Sequence, residues 1–223
     1  MPSIRTARLA LPCLLLLSCS RHPSTASHIA DAAPSASLAV PASAAPSPTT
    51  PDDLLERPRD AEYVPTPQVV IDKMLEVAQV GPTDVVYDLG CGDGRILVEA
   101  ARQKGASARG FEIDPALVSL ARDNAAKAGV SHLVHVEQAD LFQVDLSKAT
   151  VLALYLMPWM MLKLLPRMQR LPKGARVVSH DFDLGGIRPA GIWTVEAPDH
   201  RDAWRPRPHF VYLWRAPIPL QVE

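Results

Sequence analysis

The sequence predicts an α/β fold with a doubly wound, seven-stranded sheet that is mostly parallel and ends in an antiparallel C-terminal hairpin. Five short apolar runs alternate with segments of helical periodicity between residues 66 and 179. This alternation is typical of a parallel sheet covered by helices on both faces. Two further apolar runs, residues 193–195 and 210–214, have no helical segment between them. We therefore expect the last two strands to pair as an antiparallel hairpin.

The first predicted element is a helix that opens at Thr66 and Pro67. Threonine is a good N-cap and proline is favoured at the first helical position. Apolar residues then recur at helical spacing as far as Ala78, and Gly81 follows. The parallel strands are predicted at residues 85–89, 108–113, 133–136, 151–156 and 175–179, with helices at residues 95–104, 115–128 and 160–171.

The N-terminal segment predicts export. Arg5 and Arg8 precede a short apolar run that ends in small residues, as in a secretory signal peptide over residues 1–19. The run is too short to cross a bilayer as a helix. Residues 16–19 resemble a bacterial lipobox, which implies an exported lipoprotein held to the membrane only through a lipidated Cys19. The alternatives are plain secretion after cleavage nearby, and a misassigned start that would leave the protein in the cytoplasm.

Residues 20–60 are rich in Ala, Pro, Ser and Thr and poor in large apolar side chains. Such a segment cannot bury enough surface to offset its ordering entropy, so it is predicted to be a disordered tether. The folded domain is therefore expected at residues 61–223. The formal net charge of −1 gives no electrostatic attraction to nucleic acid. The spacing of the cysteines and histidines predicts no metal site.

The strongest chemical signal is a glycine-rich turn directly after the first predicted strand. Gly90, Gly92 and Gly94 alternate behind Asp88. Glycine lets a ligand approach backbone that a Cβ would block, here beside a helix N-terminus. The dinucleotide fingerprint G-x-G-x-x-G would need glycine at position 95, where the chain has Arg95. This departure argues against a nicotinamide-dependent oxidoreductase.

Acidic residues also end the next two predicted strands. Glu112 ends the second strand, and its carboxylate can accept hydrogen bonds from both ribose hydroxyls of an adenosine. Asp140 follows the third strand and can accept from an adenine amino group, while Leu141 offers apolar cover to the ring. Because parallel strands end at one edge of the sheet, these acids point into the crevice where such sheets bind ligands.

Together these positions resemble the class I, Rossmann-like S-adenosylmethionine-dependent methyltransferases, from about residue 63 to the C-terminus. The resemblance implies S-adenosylmethionine as the cofactor and methyl transfer as the reaction. It also implies that Glu112 binds ribose, that Asp140 and Leu141 bind adenine, and that the turn holds the methionine part. The turn residues carried over are Asp88, Gly90, Gly92, Asp93 and Gly94.

A narrower resemblance rests on three segments, residues 63–67, 87–96 and 179–183. These segments are similar to bacterial relatives of the mitochondrial ATP-synthase c-subunit lysine methyltransferases. The resemblance implies N-methylation of a protein lysine, hypothetically in a membrane protein. It further implies that the segment with Tyr63 and Thr66 closes over the cofactor. The alternative for Thr66 is a plain N-cap.

The substrate side is less clearly marked. Many amino- and amide-directed methyltransferases carry Asn/Asp-Pro-Pro-aromatic after the fourth strand, whereas this chain has Tyr155, Pro158 and Trp159 in that region. This departure argues against methylation of nucleic-acid bases or glutamine. A lysine must lose its proton before it accepts a methyl group, and an apolar slot lowers its pKa by desolvation. Tyr155 and its neighbours are predicted either to line that slot or to belong to the core.

His180 and Asp181 follow the fifth predicted strand, where the substrate amine should arrive. Asp181 can hold a lysine ammonium or take its proton, and His180 can do the latter near neutral pH. The alternative for His180 is a structural hydrogen-bonding role. Two other functions also fit the sequence: a small-molecule methyltransferase, and a cofactor-binding module without catalysis.

Overall fold

The computed structural model describes residues 61–199 and 202–219. The predicted signal peptide, Cys19 and the predicted tether lie outside the described residues. Within the described ranges, no helix combines the length and the apolar character needed to cross a bilayer.

The described chain forms four helices and one seven-stranded sheet, as the sequence predicts. The elements are β1 (Val85–Leu89), β2 (Ser107–Glu112), β3 (Val134–Gln138), β4 (Val151–Leu154), β5 (Arg176–His180), β6 (Gly191–Asp199), β7 (Asp202–Arg215), α1 (Gln68–Val77), α2 (Arg95–Lys104), α3 (Pro115–Lys127) and α4 (Pro158–Met168). The strand order is β3-β2-β1-β4-β5-β7-β6. Strands β1 to β5 are parallel, and β7 is antiparallel to both β5 and β6. The predicted fold class is therefore confirmed.

The order of the strands places a ligand crevice between β1 and β4. The chain winds outward from β1 through β2 to β3, then crosses back and continues outward from β4. Helices that follow β1 and β4 lie on opposite faces of the sheet, because the direction of winding reverses there. This topological switch point leaves an opening at the carboxyl ends of the strands, which is where such sheets bind ligands.

Two apolar cores hold the helices against the two faces. On one face, the buried side chains of α1, α2 and α3 pack on alternate strand residues, with Leu97 and Val86 at 0% exposure. On the other face, α4 packs through Met161 and Leu164 on the intervening strand residues, such as Leu152. Strand side chains point alternately to the two faces, so continuous apolar runs in β1 and β4 serve both cores.

The structure corrects the predicted N-cap of α1. The cap position is Pro67, and no side chain caps the helix. Thr66 is buried instead, with its hydroxyl oxygen 3.3 Å from Nδ1 of His180. The prediction from local propensity was wrong because this long-range contact holds the Thr66 side chain away from the helix end.

Other boundaries shift by a few residues. Strand β4 ends at Leu154, two residues earlier than predicted. Helix α4 begins at Pro158, two residues earlier than predicted, because proline is pre-organised for the first turn of a helix. The hairpin strands β6 and β7 are longer than predicted. Their outer parts contain Pro198, Pro206 and Pro208, which mask a strand signal in the sequence. These prolines are tolerated because β5 pairs only with the inner part of β7, residues 211–215.

Candidate active site

A cavity of about 500 Å³ lies at the carboxyl ends of the parallel strands. Its volume is in the range that binds a small molecule or cofactor. Most residues predicted for the cofactor line it: Tyr63, Thr66, Asp88, Gly90, Asp93, Glu112, Asp140 and Leu141. Tyr155 lines it as well, whereas Gly92, Gly94, His180 and Asp181 are not among the residues that line it.

The glycine-rich turn owes its shape to two close packing contacts. Gly92 has φ +54, and a Cβ built there would lie 2.3 Å from Cε2 of Tyr63. Gly94 has φ +76, and its Cβ would lie 2.9 Å from Cβ of Ala121 in α3. Residues that carry a side chain rarely adopt such φ values, and at these two positions the added Cβ would also collide with a neighbour. These two glycines therefore seat Tyr63 and α3 against the turn, while Gly90 presents backbone to the cavity.

Asp88 places a carboxyl group on the buried floor of the cavity. Burial raises its pKa to about 8, and the neighbouring charges of Glu112 and Asp93 add to the effect. A carboxyl group in such surroundings ionises readily only when a cation comes close. The site is therefore electrostatically suited to a positively charged ligand.

Glu112 is fixed at the end of β2 by three backbone groups. Its Oε2 accepts from Gly92 N at 2.9 Å, and its Oε1 accepts from Ile113 N at 2.9 Å and Asp114 N at 3.1 Å. An ionised carboxylate has about four acceptor positions, so one remains for a ligand. The contact with Gly92 also ties the glycine-rich turn to the neighbouring strand.

Asp140 and Leu141 form the wall beyond β3. Asp140 is buried and accepts a hydrogen bond from Phe142 N through Oδ1 at 2.9 Å, which fixes the turn after the strand. Its side chain and that of Leu141 border the same cavity as Glu112. The two acids at the ends of β2 and β3 are thus brought together, as the sequence predicts.

The segment before α1 covers the cavity and is fastened by Arg95. The guanidinium group of Arg95 binds both carboxylate oxygens of Asp93 and donates to the carbonyl oxygen of Thr66 at 3.1 Å. The ring of Tyr63 packs on Gly92, where burial raises the pKa of its phenol to about 12 and the charge of Asp93 adds to the rise. In the sequence Arg95 stands out only as a departure from the dinucleotide pattern, because its role depends on a contact with a residue 29 positions away.

Aromatic residues form the opposite wall. The ring of Tyr155 lies 3.9 Å from that of His180 and 6.2 Å from that of Phe182, measured between centroids. Tyr155, Leu156, Met157 and Phe182 all border the cavity. Pro158 opens α4, and the Trp159 side chain that follows is 46% exposed. The cavity therefore has an acidic half and an apolar, aromatic half.

His180 and Asp181 are engaged by other residues. Both ring nitrogens of His180 have partners, Nδ1 with Thr66 and Nε2 with His209 at 2.8 Å. Burial lowers the pKa of His180 to about 3. Burial opposes the ionisation of Asp181, but the hydrogen bonds from Arg207 and from the Phe210 backbone, together with nearby positive charge, outweigh it and lower the pKa of this carboxyl. His180 is thus neutral and Asp181 is ionised and paired.

The same cluster offers the geometry of a metal site. Ligand atoms of His180, Asp181 and His209 lie within 4.8 Å of one another. However, Arg207 already donates to Asp181 Oδ2 at 2.6 Å, and its positive charge opposes a cation at the same carboxylate. The contacts among these residues favour a chain of hydrogen bonds.

A solved structure with a bound ligand defines the class of protein. The chain is similar to a Salinibacter ruber protein described as an RNA methyltransferase in complex with S-adenosyl-L-homocysteine, with 48% identity and a TM-score of 0.62. The match covers 72% of this chain and 99% of that chain. Together with the switch-point cavity and its acids, this similarity identifies an S-adenosylmethionine-dependent methyltransferase.

Sequence comparisons identify the family. The model of the ANTKMT methyltransferase domain matches residues 88–191. A protein-lysine N-methyltransferase of Saccharolobus islandicus is 41% identical over 154 residues, which are 68% of this chain and 91% of that protein. The ATP-synthase c-subunit lysine N-methyltransferase of Xenopus laevis is 33% identical over 139 residues, which are 62% of this chain and 57% of that protein. The chain belongs to the family of the Saccharolobus islandicus protein-lysine N-methyltransferase.

The residues of the cavity fit the cofactor of this class. S-adenosylmethionine, when bound, supplies a methyl group on a positively charged sulfur. Asp88 offers the buried carboxyl group that a cation would ionise, Glu112 keeps one acceptor position for a hydroxyl group, and Gly90 leaves backbone open to the ligand. Tyr63 and Thr66 line the same space.

Proposed function

We propose that the enzyme transfers a methyl group from S-adenosylmethionine to the ε-amino group of a lysine in a protein substrate. The observation that carries this proposal is the aromatic half of the cavity, where Tyr155 and Phe182 face the acidic, cofactor-binding half. The lysine methyltransferases among the relatives support the same reaction.

The aromatic wall suits the chemistry of a lysine. The nucleophile is the neutral amine, and desolvation between Tyr155 and Phe182 lowers the pKa of an ammonium group. The amine forms the new N–C bond as the S–C bond breaks, the sulfur becomes a neutral thioether, and the amine proton passes to water. Alignment of the two reactants in a dry site contributes most of the rate.

His180 and Asp181 act in this proposal without touching the amine. His180 is neutral and buried behind Tyr155, and Asp181 is paired with Arg207. We assign the substrate contact to Tyr155 and give the two other residues supporting roles. Activity assays of Tyr155, His180 and Asp181 variants against one substrate protein separate these roles.

An exposed apolar rim next to the cavity supports a substrate with an apolar surface, such as a membrane protein. Met157, Trp159 and Leu162 are all exposed on the first turns of α4 and just before it, and Met157 also lines the cavity. Exposed apolar groups grouped in this way commonly mark an interaction site. Replacement of Trp159 by Gln should therefore raise KM for the protein substrate and leave cofactor affinity unchanged.

The experiment that tests the proposed reaction is a methylation assay on cell extracts. The purified protein is incubated with radiolabelled S-adenosylmethionine and separate soluble and membrane protein fractions, and labelled bands are mapped by mass spectrometry. We expect methyl-lysine, with no label from Glu112→Ala and full label from the surface variant Asp123→Ala. A folded, cofactor-binding enzyme that labels no lysine in any fraction contradicts the proposal.

RNA methylation is the second candidate, because the Salinibacter ruber protein is described as an RNA methyltransferase. The absence of the Asn/Asp-Pro-Pro-aromatic motif and the net charge of −1 favour a protein substrate instead. Total RNA is included as a parallel acceptor in the same assay. If ribonuclease removes all the label and no protein is labelled, the function is RNA methylation and not lysine methylation.

For the N-terminal segment, we propose export and anchoring through a lipidated Cys19. The support is the basic start, the apolar run and the lipobox-like residues 16–19. Expression of the full chain in bacteria with radiolabelled palmitate tests it, with Cys19→Ser as the control. We expect label and membrane association only for the unaltered chain. Unlabelled protein in the cytoplasm supports the alternative of a misassigned start, which also resolves how the enzyme meets a cofactor made in the cytoplasm.

A further inference from the structure

A chain of polar contacts leads from the cavity to the hairpin β6–β7. Thr66 Oγ1 lies 3.3 Å from His180 Nδ1, and His180 Nε2 lies 2.8 Å from His209 Nδ1. Asp181 Oδ2 lies 3.4 Å from His180 Nε2 and 3.5 Å from His209 Nδ1. Arg207 donates to this same carboxylate oxygen. Of these residues only Thr66 borders the cavity, and the two histidines are 0% and 2% exposed.

The burial of His209 Nε2 favours one placement of the protons on the two histidines. Either His209 Nδ1 donates to His180 Nε2, or His180 Nε2 donates to His209 Nδ1. In the second case the one ring proton of His209 sits on Nε2, which is buried and has no hydrogen-bond partner among the described residues. Buried N–H groups without an acceptor are rare. The first arrangement is therefore favoured.

The orientation of the Thr66 hydroxyl follows from this assignment. His180 is neutral because of its burial, so with Nε2 accepting, its single proton lies on Nδ1 and points at Thr66 Oγ1. A hydroxyl that accepts this hydrogen bond must direct its own proton elsewhere. Since Thr66 also lines the cavity, that proton is available to a ligand that offers an acceptor.

The face of the His180 ring has a second contact. Tyr155, the aromatic residue of the opposite wall, lies against it with 3.9 Å between ring centroids. One buried side chain therefore touches both the residue that covers the cofactor side and the residue that borders the substrate side.

We propose that His180 is a positioning residue that orients the Thr66 hydroxyl to donate to a carboxylate of the bound cofactor and at the same time holds Tyr155 in place. We assign the carboxylate of the amino-acid part as the ligand of Thr66, because a hydrogen bond from the hydroxyl to an ionised acceptor is roughly twice as strong as one to a neutral acceptor. The proposal rests on cofactor binding and is independent of the methyl acceptor.

Calorimetry with S-adenosylhomocysteine and 5′-methylthioadenosine tests the proposal. The second compound has the adenosine and the thioether but lacks the amino-acid part. We expect Thr66→Val and His180→Phe each to weaken S-adenosylhomocysteine binding about tenfold, and the double variant to be no weaker than Thr66→Val alone. Binding of 5′-methylthioadenosine should change less than about twofold.

Three controls complete the experiment. His180→Asn, whose amide can replace the Nδ1–H donor, should restore most of the affinity, and His135→Phe, on the exposed side of β3, should bind as the parent does. Additive losses in the double variant, or equal losses for both ligands, overturn the proposal. Should His180→Phe not fold, ¹⁵N-resolved NMR of the unaltered protein decides, since a His180 ring protonated on Nε2 contradicts the assigned orientation.

Discussion

The guanidinium group of Arg95 donates a hydrogen bond to the carbonyl oxygen of Thr66 at 3.1 Å. Arg95 opens α2 directly after the glycine-rich turn, whereas Thr66 belongs to the segment that precedes α1. Because Arg95 also binds Asp93 through two nitrogens, this contact joins the covering segment to the glycine-rich turn. The covering segment is thus fastened to the helix N-terminus that borders the cavity.

Replacement of Arg95 should loosen the cover. We expect Arg95→Ala to weaken S-adenosylmethionine binding about tenfold, because a partly buried charge-assisted hydrogen bond and an ion pair are lost together. Arg102→Ala is the matched control, since Arg102 lies on the same helix and pairs with Glu99 at the surface. Calorimetry on both variants measures the effect. Equal affinity of the two variants would show that the cover is held by other contacts.

Replacement of Gly92 should reveal how closely Tyr63 packs on the turn. Gly92→Ala introduces both an unfavourable φ and a collision with the Tyr63 ring, and we expect it to lower the free energy of unfolding by about 2–4 kcal/mol. Gly174→Ala separates the two effects, since Gly174 has φ +82 but a Cβ added there would meet open space. We expect this variant to lose about 1 kcal/mol of unfolding free energy. Urea unfolding measures both. The double variant Gly92→Ala, Tyr63→Ala should recover part of the loss, and no recovery would contradict the collision.

The pKa of Asp88 predicts a pH dependence of cofactor binding. Its carboxyl has a pKa of about 8 in the free protein, and a cationic ligand favours its ionised form. Affinity should therefore rise as the pH increases from 6 to 8, because less proton release accompanies binding. The cofactor's α-amino group titrates in the same range, so the informative quantity is the difference between the parent and Asp88→Asn. Identical pH curves for the two proteins would show that Asp88 is not coupled to the ligand.

The same raised pKa has a consequence for stability. A carboxyl whose pKa is higher in the folded state than in the unfolded state adds to the free energy of unfolding. This stabilisation is complete when the pH is below the unfolded-state pKa, and it is lost as the pH rises toward 8. The melting temperature of cofactor-free Asp88→Asn should therefore increase relative to that of the parent as the pH rises from 5 to 8. A constant difference across this range contradicts the raised pKa.

Replacement of Tyr155 should affect turnover more than cofactor affinity. We expect Tyr155→Leu to lower kcat about 10- to 100-fold, because the aromatic wall that aligns and desolvates the amine is lost, with S-adenosylhomocysteine affinity changed less than about threefold. Phe210→Leu is the control, as Phe210 is an exposed aromatic residue on β7. A loss of cofactor affinity as large as the loss of kcat would instead place Tyr155 on the cofactor side.

Local patterns in the sequence were sufficient for the elements around the cofactor. The buried run of β1, the alternating glycines and the acids Glu112 and Asp140 depend on contacts within one β–α unit or between adjacent strands. Such patterns are determined by burial and backbone geometry over a few residues, so they can be recognised in the chain itself. The outer hairpin was underestimated because its prolines oppose a strand prediction, although an unpaired edge tolerates them.

The sequence by itself determined the order of strands and helices, the cofactor class and the acids that border the cavity, because each follows from local periodicity or from a turn of defined shape. Only the tertiary structure decided the roles of Thr66, His180 and Arg95. Thr66 and His180 are separated by 114 residues in the chain, and their contact exists only because α1 and β5 pack side by side. Proton positions, pKa values and the pairing of Asp181 with Arg207 depend on that packing, since burial and neighbouring charges set them.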